Sequence, residues 1–412
     1  MTGRPRVLWV TAEPPHHRTG GGAMRQAHLI DGLAPAADVD LLVVGPVEDG
    51  AVRAAVRSLR ELPAPPSGRR RLPRRVHDAV RLARMLPSEL ADRSGERAVL
   101  AAALADPAIG VAGCDVVHAE HLGLAGLVPP GPAGSGPLLS LGVQNVPSVM
   151  AAEARAVATG PRQRAYWAAE GAAARRLERR AVAGADVVVA VSDADAAALA
   201  AGRVIVAPNG VDPSRYRPGP LPDAPRLVFT GTLDFLPNVD GVTWFATEVL
   251  PLVRRAVPAA TLDVVGRRPV AGVRALASLP GVTVSADVAS TAPHLGAARV
   301  AVVPVRIGSG SRLKALEAMA AGRPVAGTTV GLGGIGLEPG THAEVADGAA
   351  DLAAAVVRLI TDGDRAARMA GEARRFVEEQ CSWSAIGARF AAELLSLLPA
   401  RSRPGPSSAP SP

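Results

Sequence analysis

VAVVPVRIGSGSRLKALEAMAAGRP, running from Val300 to Pro324, sets a strand, a glycine-serine loop and a short helix end to end. Val300 to Val305 is apolar throughout, as a strand covered on both faces should be. Ser311 suits the cap of the helix, and Gly322 followed by Pro324 supplies a stop. A helix N-terminus carries partial positive charge, so Arg312 and Lys314 in the first turn are each disfavoured by roughly 0.3–1 kcal/mol. A bound anion would offset that cost. The backbone N–H groups of Gly308, Ser309, Gly310 and Ser311, the helix dipole and the two cationic side chains together suit a diphosphate. Glu317, less than two turns along the helix, is placed to accept hydrogen bonds from a ribose. A plain surface pair between Lys314 and Glu317 is the competing reading, and this stretch alone does not separate the two.

Outward from this stretch, strands and helices alternate on both sides. Before it, the pattern predicts strands at Val7–Thr11, Val39–Val44, Asp115–His118, Leu138–Val143, Asp186–Val191 and Val204–Ala207, a helix at Ala23–Leu33 and a helical span over Ala151–Ala183. An irregular insert rich in proline and arginine covers Leu62–Arg75. Beyond residue 225 the pattern predicts strands at Arg226–Thr230, Ala260–Val265, Val282–Ser285 and Pro324–Thr328, with one helix over Val239–Val257. Such alternation calls for α/β architecture: two Rossmann-like parallel-sheet domains, 1–207 and 226–382, joined by a turn-rich linker at 208–225. SWSAIGARFAAELLSLL predicts an amphipathic helix within 383–400, with Trp383, Ile386, Phe390, Leu394 and Leu395 on one side. The tail RSRPGPSSAPSP, 401–412, has too little apolar surface to fold and is expected to be disordered.

Composition narrows the function. A chain of 412 residues is long enough for two domains with separate cores, and with aromatics at 3% those cores must be aliphatic. Cys114 and Cys381 are too few for a disulfide framework and lack metal-ligand spacing, which fits a reducing cytoplasm. VLWVTA near the N-terminus is too short for a secretory signal, and no segment approaches a membrane span. The net charge of +7 raises the question of nucleic acid, but the cations are nearly all arginine in an alanine-rich chain without interleaved aromatics or a recognised module. The densest basic run, Arg69–Arg84, could meet anionic lipid at the inner face of a membrane; a solvated helix face with a basic lead-in is the preferred reading.

The segment RIGSGSRLKALEAMAAGRPV resembles the donor site of the retaining, nucleotide-sugar-dependent glycosyltransferases of the GT-B fold, group 1 or family 4-like. Four further blocks resemble that family in its own order. PPHHRTGGGAMRQAHLIDGLA is similar to its first glycine loop. RLERRAVAGADVVVAVSDAD and VIVAPNGVDPSRYRP are similar to its interdomain segment and crossing point, and RLVFTGTLDFLPNVDGVTWFATEVLPLVRRAVPAATLDVVG to the opening of its second domain. The resemblance implies that residues 1–207 face the acceptor, that 226–382 bind the donor, and that the helix in 383–400 crosses back onto the first domain. It implies no cofactor beyond the donor itself, a UDP-, GDP- or TDP-sugar, and a partner acceptor hydroxyl that is not identified by these residues.

Ligands of open parallel sheets bind beyond the carboxyl ends of the strands, so two such sheets facing each other frame a cleft. Gly21 and Gly22, after the first strand, allow close backbone approach to a phosphate or sugar. His118 and His121, in DVVHAEHLGLAG, are candidates for acceptor contact or proton handling. The alternative is that His118 packs at the strand end with its ring bonded to backbone. Zinc binding by this pair lacks a third ligand.

The chain departs from the family pattern at several points. QNVPS stands where a phrase resembling HNVES is usual, so Gln144 takes the place of a histidine. Counting back from Glu317 by the family's glutamate spacing reaches Ser309. GTLDFLPNVDG offers neither the arginine nor the lysine that often hold the diphosphate, leaving that task to Arg312 and Lys314. Gly333 in VGLGGIG stands where a glutamate is frequent. Retaining transfer by this route needs stabilisation of the departing diphosphate more than a protein base, with Gln144 orienting a substrate by hydrogen bonds. Two other readings stay open: a non-catalytic GT-B protein that binds nucleotide sugar or an active partner, and a nucleotide-sugar epimerase of the same fold.

Overall fold

The computed structural model describes residues 4–18, 21–65, 87–88, 93–128, 136–308 and 312–399. Arg69–Arg84, Ser309, Gly310, Ser311 and the tail 401–412 lie outside the described residues. The first sheet contains β1 (Arg6–Thr11), β2 (Asp38–Val44), β3 (Ser58–Leu62), β4 (Val116–Glu120), β5 (Leu138–Val143), β6 (Val187–Ala190) and β7 (Val204–Val206), in the order β3-β2-β1-β4-β5-β6-β7. The second contains β8 (Arg226–Thr232), β9 (Thr261–Arg267), β10 (Val282–Ala286), β11 (Val300–Val303), β12 (Val325–Gly327) and β13 (Glu344–Val345), in the order β10-β9-β8-β11-β12-β13. All pairings are parallel, and both sheets reverse direction beside their first strand, between β1 and β4 and between β8 and β11. These are the positions at which a doubly wound sheet opens a crevice. The fold is therefore two facing Rossmann-like domains, the GT-B arrangement.

Three of the elements that differ from expectation do so for local chemical reasons. The edge strand β3 reads SLREL, with an exposed and polar burial pattern, so no apolar run announces it. β11 stops at Val303, because Pro304 has no N–H to extend the ladder. The single helix expected over Val239–Val257 is instead Leu236–Trp244, one π-helical turn Phe245–Val249, and Leu250–Ala256. Pro251 removes a donor inside that run, and a wider turn accommodates the missing bond.

Aliphatic residues dominate the cores. In the first domain Val7, Leu29, Ile30, Val39, Leu41 and Val189 cluster with Trp9, and the helix Trp383–Ser396 adds Ile386, Phe390 and Leu394 to the same cluster. That helix approaches Gly21–Leu33 closely: a methyl group on Gly387 would lie 2.8 Å from the His28 carbonyl and 3.1 Å from Gly32 Cα. The two passages between domains run side by side. Val211 N–H donates to the Cys381 carbonyl at 2.9 Å, and Trp383 N–H to that of Val211 at 3.4 Å. The buried Arg323 guanidinium donates to the carbonyls of Gly219 and Pro220, which holds the linker against the second domain. Among the described residues no helix is long and apolar enough to cross a membrane.

Candidate active site

Between the carboxyl ends of the two sheets lies a cleft of about 870 Å³, lined by both domains. On the second domain's side the helix Leu313–Ala320 points its N-terminus into it, with Arg312 as cap residue and Lys314 in the first turn. The half-buried Lys314 ammonium donates to Asn238 Oδ1 and lies 4.9 Å from the centre of the Phe229 ring. Burial, followed by repulsion from Arg312, pushes its pKa down to about 7. Asn238 is itself fixed, donating to the Thr232 carbonyl at 2.8 Å. Gly231 keeps the space open, since a methyl group there would lie 2.9 Å from Asn238 Nδ2 and 3.3 Å from Lys314 Nζ. The loop GTLDFLPNVDG, which has no cation of its own before its aspartates, thus supplies the acceptor that positions one.

Arg312 Nε donates to the Val330 carbonyl at 3.0 Å, which ties the cap residue to the start of VGLGGIG. Glu317 also lines the cleft, where it accepts from the buried Tyr216 hydroxyl; burial raises its pKa first, opposed by that bond and by Arg215 and Lys314. No ion pair within 4 Å joins Lys314 to Glu317 among the described residues, so the simple surface pair is not what the helix presents. Arg306, the arginine that opens RIGSGSRLK, is used differently. It makes a two-pronged pair with Asp240 at 3.0 and 2.8 Å and stacks over Trp244, anchoring the loop.

Gly308 brings a surprise. Its N–H donates to Glu153 Oε2, a carboxylate carried by the helix Pro147–Ala156 of the other domain. Burial raises the Glu153 pKa, while the Gly308 bond and the charge of Arg312 lower it. One backbone donor expected to meet phosphate is therefore held by a side chain from across the cleft.

On the first domain's side, Gly21 and Gly22 form the opening of the helix Gly21–Leu33 and line the cleft. A methyl group on Gly22 would collide with the Gln144 carboxamide. Gln144 lies at the end of β5 and donates to Glu120 Oε1 at 2.9 Å. Behind it runs a buried chain: Glu120 Oε2 and His118 Nε2 are 2.9 Å apart, and His118 Nδ1 and Ser140 Oγ are 2.9 Å apart. His118 is fully buried and packs 4.0 Å from the Trp9 ring. It does not line the cleft, and its partners are side chains rather than backbone. Its expected role as a substrate-contacting group is therefore corrected: it supports Glu120, which supports Gln144.

His121 is the histidine that lines the cleft. It follows β4 with a φ of 91°, a region that costs a non-glycine residue about 1–3 kcal/mol. Its Nε2 lies 3.7 Å from Glu13 Oε2 and 3.4 Å from Arg93, and the nearness of the imidazole is the main reason the Glu13 pKa is lowered. Arg267, the last residue of β9, and Arg268 after it complete a rim in which cations outnumber carboxylates. Neither arginine, nor Asn238, Tyr216 or Glu153, is legible as a site residue from local pattern. Only a cation directly after a buried strand, as in VVGRRP, offered a signal.

Residues 224–362 match the family described as glycosyl transferases group 1. No curated protein sequence matches the chain. Among solved structures, the sucrose-phosphate synthase of Thermosynechococcus elongatus is similar at a TM-score of 0.69 and 19% identity, over 96% of this chain and 99% of that one. HepE of Anabaena, in complex with UDP and glucose, is similar at a TM-score of 0.60 and 16% identity, over 95% and 100%. OtsA in its apo form is similar at 0.64 and 13%, over 96% and 100%.

Proposed function

We propose that this chain, whose residues 224–362 match the glycosyl transferases of group 1, transfers a sugar from a nucleoside diphosphate sugar to an acceptor hydroxyl, with retention and without a catalytic metal ion. The observation that carries this reading is Lys314. A half-buried ammonium beside Arg312, at a helix N-terminus and with its pKa pushed down, makes a positive site that an anion would stabilise. Lys314, Arg312 and the helix N–H groups meet the charge that grows on the diphosphate as the anomeric C–O bond breaks, the work a divalent ion does in other transferases. Glu317 holds the ribose. The acceptor oxygen bonds to the anomeric carbon on the face the diphosphate leaves, and its proton passes to a diphosphate oxygen. Gln144 and His121, on the acceptor side, orient the sugar and the incoming hydroxyl, with Gln144 held in place by Glu120.

A melting-temperature panel of UDP-, GDP- and TDP-sugars tests the donor first, because a ligand that binds only the folded state raises the midpoint. UDP-sugars head the panel, since HepE is a similar fold seen with UDP. The stabilising donor is then incubated with an acceptor library, and nucleoside diphosphate release is followed. Product in at least one mixture is expected. Tight donor binding with neither transfer nor slow hydrolysis would favour the non-catalytic reading instead.

A further inference from the structure

Away from the cleft's reacting groups, the loop before Gly21 carries a second cluster with its own chemistry. The His17 ring sits between two carboxylates, with Nδ1 3.0 Å from Asp49 Oδ2 and Nε2 2.7 Å from Asp31 Oδ2. His28 and Asp31 lie three residues apart on the helix Gly21–Leu33, hence on one face, with His28 Nδ1 3.8 Å from the same Asp31 oxygen. The rings of His17 and His28 meet edge to face with centroids 4.8 Å apart. One nitrogen from each histidine and one Asp31 oxygen all lie within 4.8 Å of one another.

We propose that His17, His28 and Asp31 bind a first-row divalent metal ion, with zinc the best fit. Bonds of 2.0–2.2 Å in a tetrahedron put ligand atoms about 3.3 Å apart, so His17 and Asp31 need to separate by about half an ångström, and His28 to close by about as much on Asp31 and by up to about 1.5 Å on His17, which a rotation of the His28 ring would supply. Two imidazoles with a carboxylate and no thiolate form a donor set for zinc, nickel or copper rather than magnesium or calcium. Asp31 is the most exposed of the three, which leaves a side open for water as fourth ligand.

The second, independent observation is Asp49. Its Oδ2 accepts both the backbone N–H of His17 at 2.8 Å and the ring Nδ1–H, so that an ion displacing the Nε2 proton now shared with Asp31 would meet the Nε2 lone pair already aimed at the site. This is the carboxylate–imidazole support typical of metal-bound histidine. Asp49 owes its place to another duty, capping the helix Gly50–Ala55 through Ala51 N–H at 3.0 Å, so the support is built in independently of His17. The His28 ring is likewise held, stacked 4.7 Å from Trp383 at the start of the crossing helix. His16 lies beside the same Asp49 oxygen, with its Nδ1 3.5 Å from Oδ2, but that nitrogen already accepts from Arg18 N–H at 3.0 Å and is not among the three ligands. An ion here would fasten the loop before Gly21 to the helix behind it and, through Trp383, to the passage between domains.

The test uses the full chain, stripped with chelator and dialysed against zinc or cobalt. One ion retained per chain, tetrahedral cobalt absorption bands and a higher melting temperature than the stripped protein are expected. His28→Gln should abolish retention, whereas Asp49→Asn, which keeps all three ligands, should weaken affinity about 10–100-fold. His294→Gln, altering a remote histidine-carboxylate pair, should leave stoichiometry unchanged. A wild-type chain that retains no ion, or equal retention in the wild type, His28→Gln and Asp31→Asn, overturns the proposal.

Discussion

Lys314 shows how a residue acquires function from its surroundings. With its pKa near 7 in the free protein, and raised once a diphosphate arrives, donor binding takes up a proton over part of the pH range. Below pH 7 the ammonium is charged with or without ligand, and affinity is highest. Between pH 7 and the raised bound value, affinity should fall by up to about tenfold per unit. Calorimetric titration of UDP from pH 6 to 9 should show this slope, and Lys314→Arg, which stays charged, should flatten it. Lys314→Ala should cost about 1.5–3 kcal/mol of nucleotide affinity; unchanged affinity there and a flat wild-type profile would remove the donor-site assignment. The two histidines of DVVHAEH should separate in the same spirit. His118→Ala leaves Glu120 buried without its main partner and should lower stability by about 3–5 kcal/mol. His121→Gly relieves the φ of 91° and should keep or raise the melting temperature while reducing turnover. Turnover equal to wild type in His121→Gly would remove this residue from the acceptor side.

At the scale of elements, the helix Pro147–Ala156 and the loop after β11 meet through Glu153 and Gly308. A carboxylate on that N–H competes with a phosphate oxygen for the same donor. Glu153→Ala should therefore tighten binding of a nucleoside diphosphate by about 1 kcal/mol, roughly fivefold, read as a lower Kd in calorimetry. Weaker binding would instead make Glu153 a direct partner of the donor. The elements themselves were legible to different degrees. β11 and the helix after it stand out because their signals are local: an apolar run, glycines, a stop. β3 and β13 were missed because an exposed edge strand needs no apolar run, and two residues such as Glu344–Val345 carry no period.

At the scale of the molecule, the two switch points face each other and the cleft takes a cationic rim from both domains, including Arg93 and Arg215 from the first domain and the linker and Arg268 from the second. With a net charge of +7, the chain should draw an anionic donor by long-range attraction. Stopped-flow association of a nucleotide sugar should slow severalfold, roughly, as salt rises from 0.05 to 0.5 M, because the screening length shrinks below the width of such a cleft. An association rate independent of salt would place the contribution of these cations entirely at short range.

The alternation of strand and helix, the turn-rich join near residue 208, the amphipathic final helix and the cations at the start of the helix after β11 could all be read from order along the chain, since each depends on neighbours a few residues apart. The partnership of Lys314 with Asn238, of Glu317 with Tyr216 and of Gly308 with Glu153 could not. Each joins residues separated by many tens of positions, and whether they meet depends on which strands adjoin and how the two domains face. The same holds for His118 and His121: alternation along β4 says that neighbours differ in facing, but only packing against Trp9 and the turn after Glu120 decided which histidine was buried and which met the cleft.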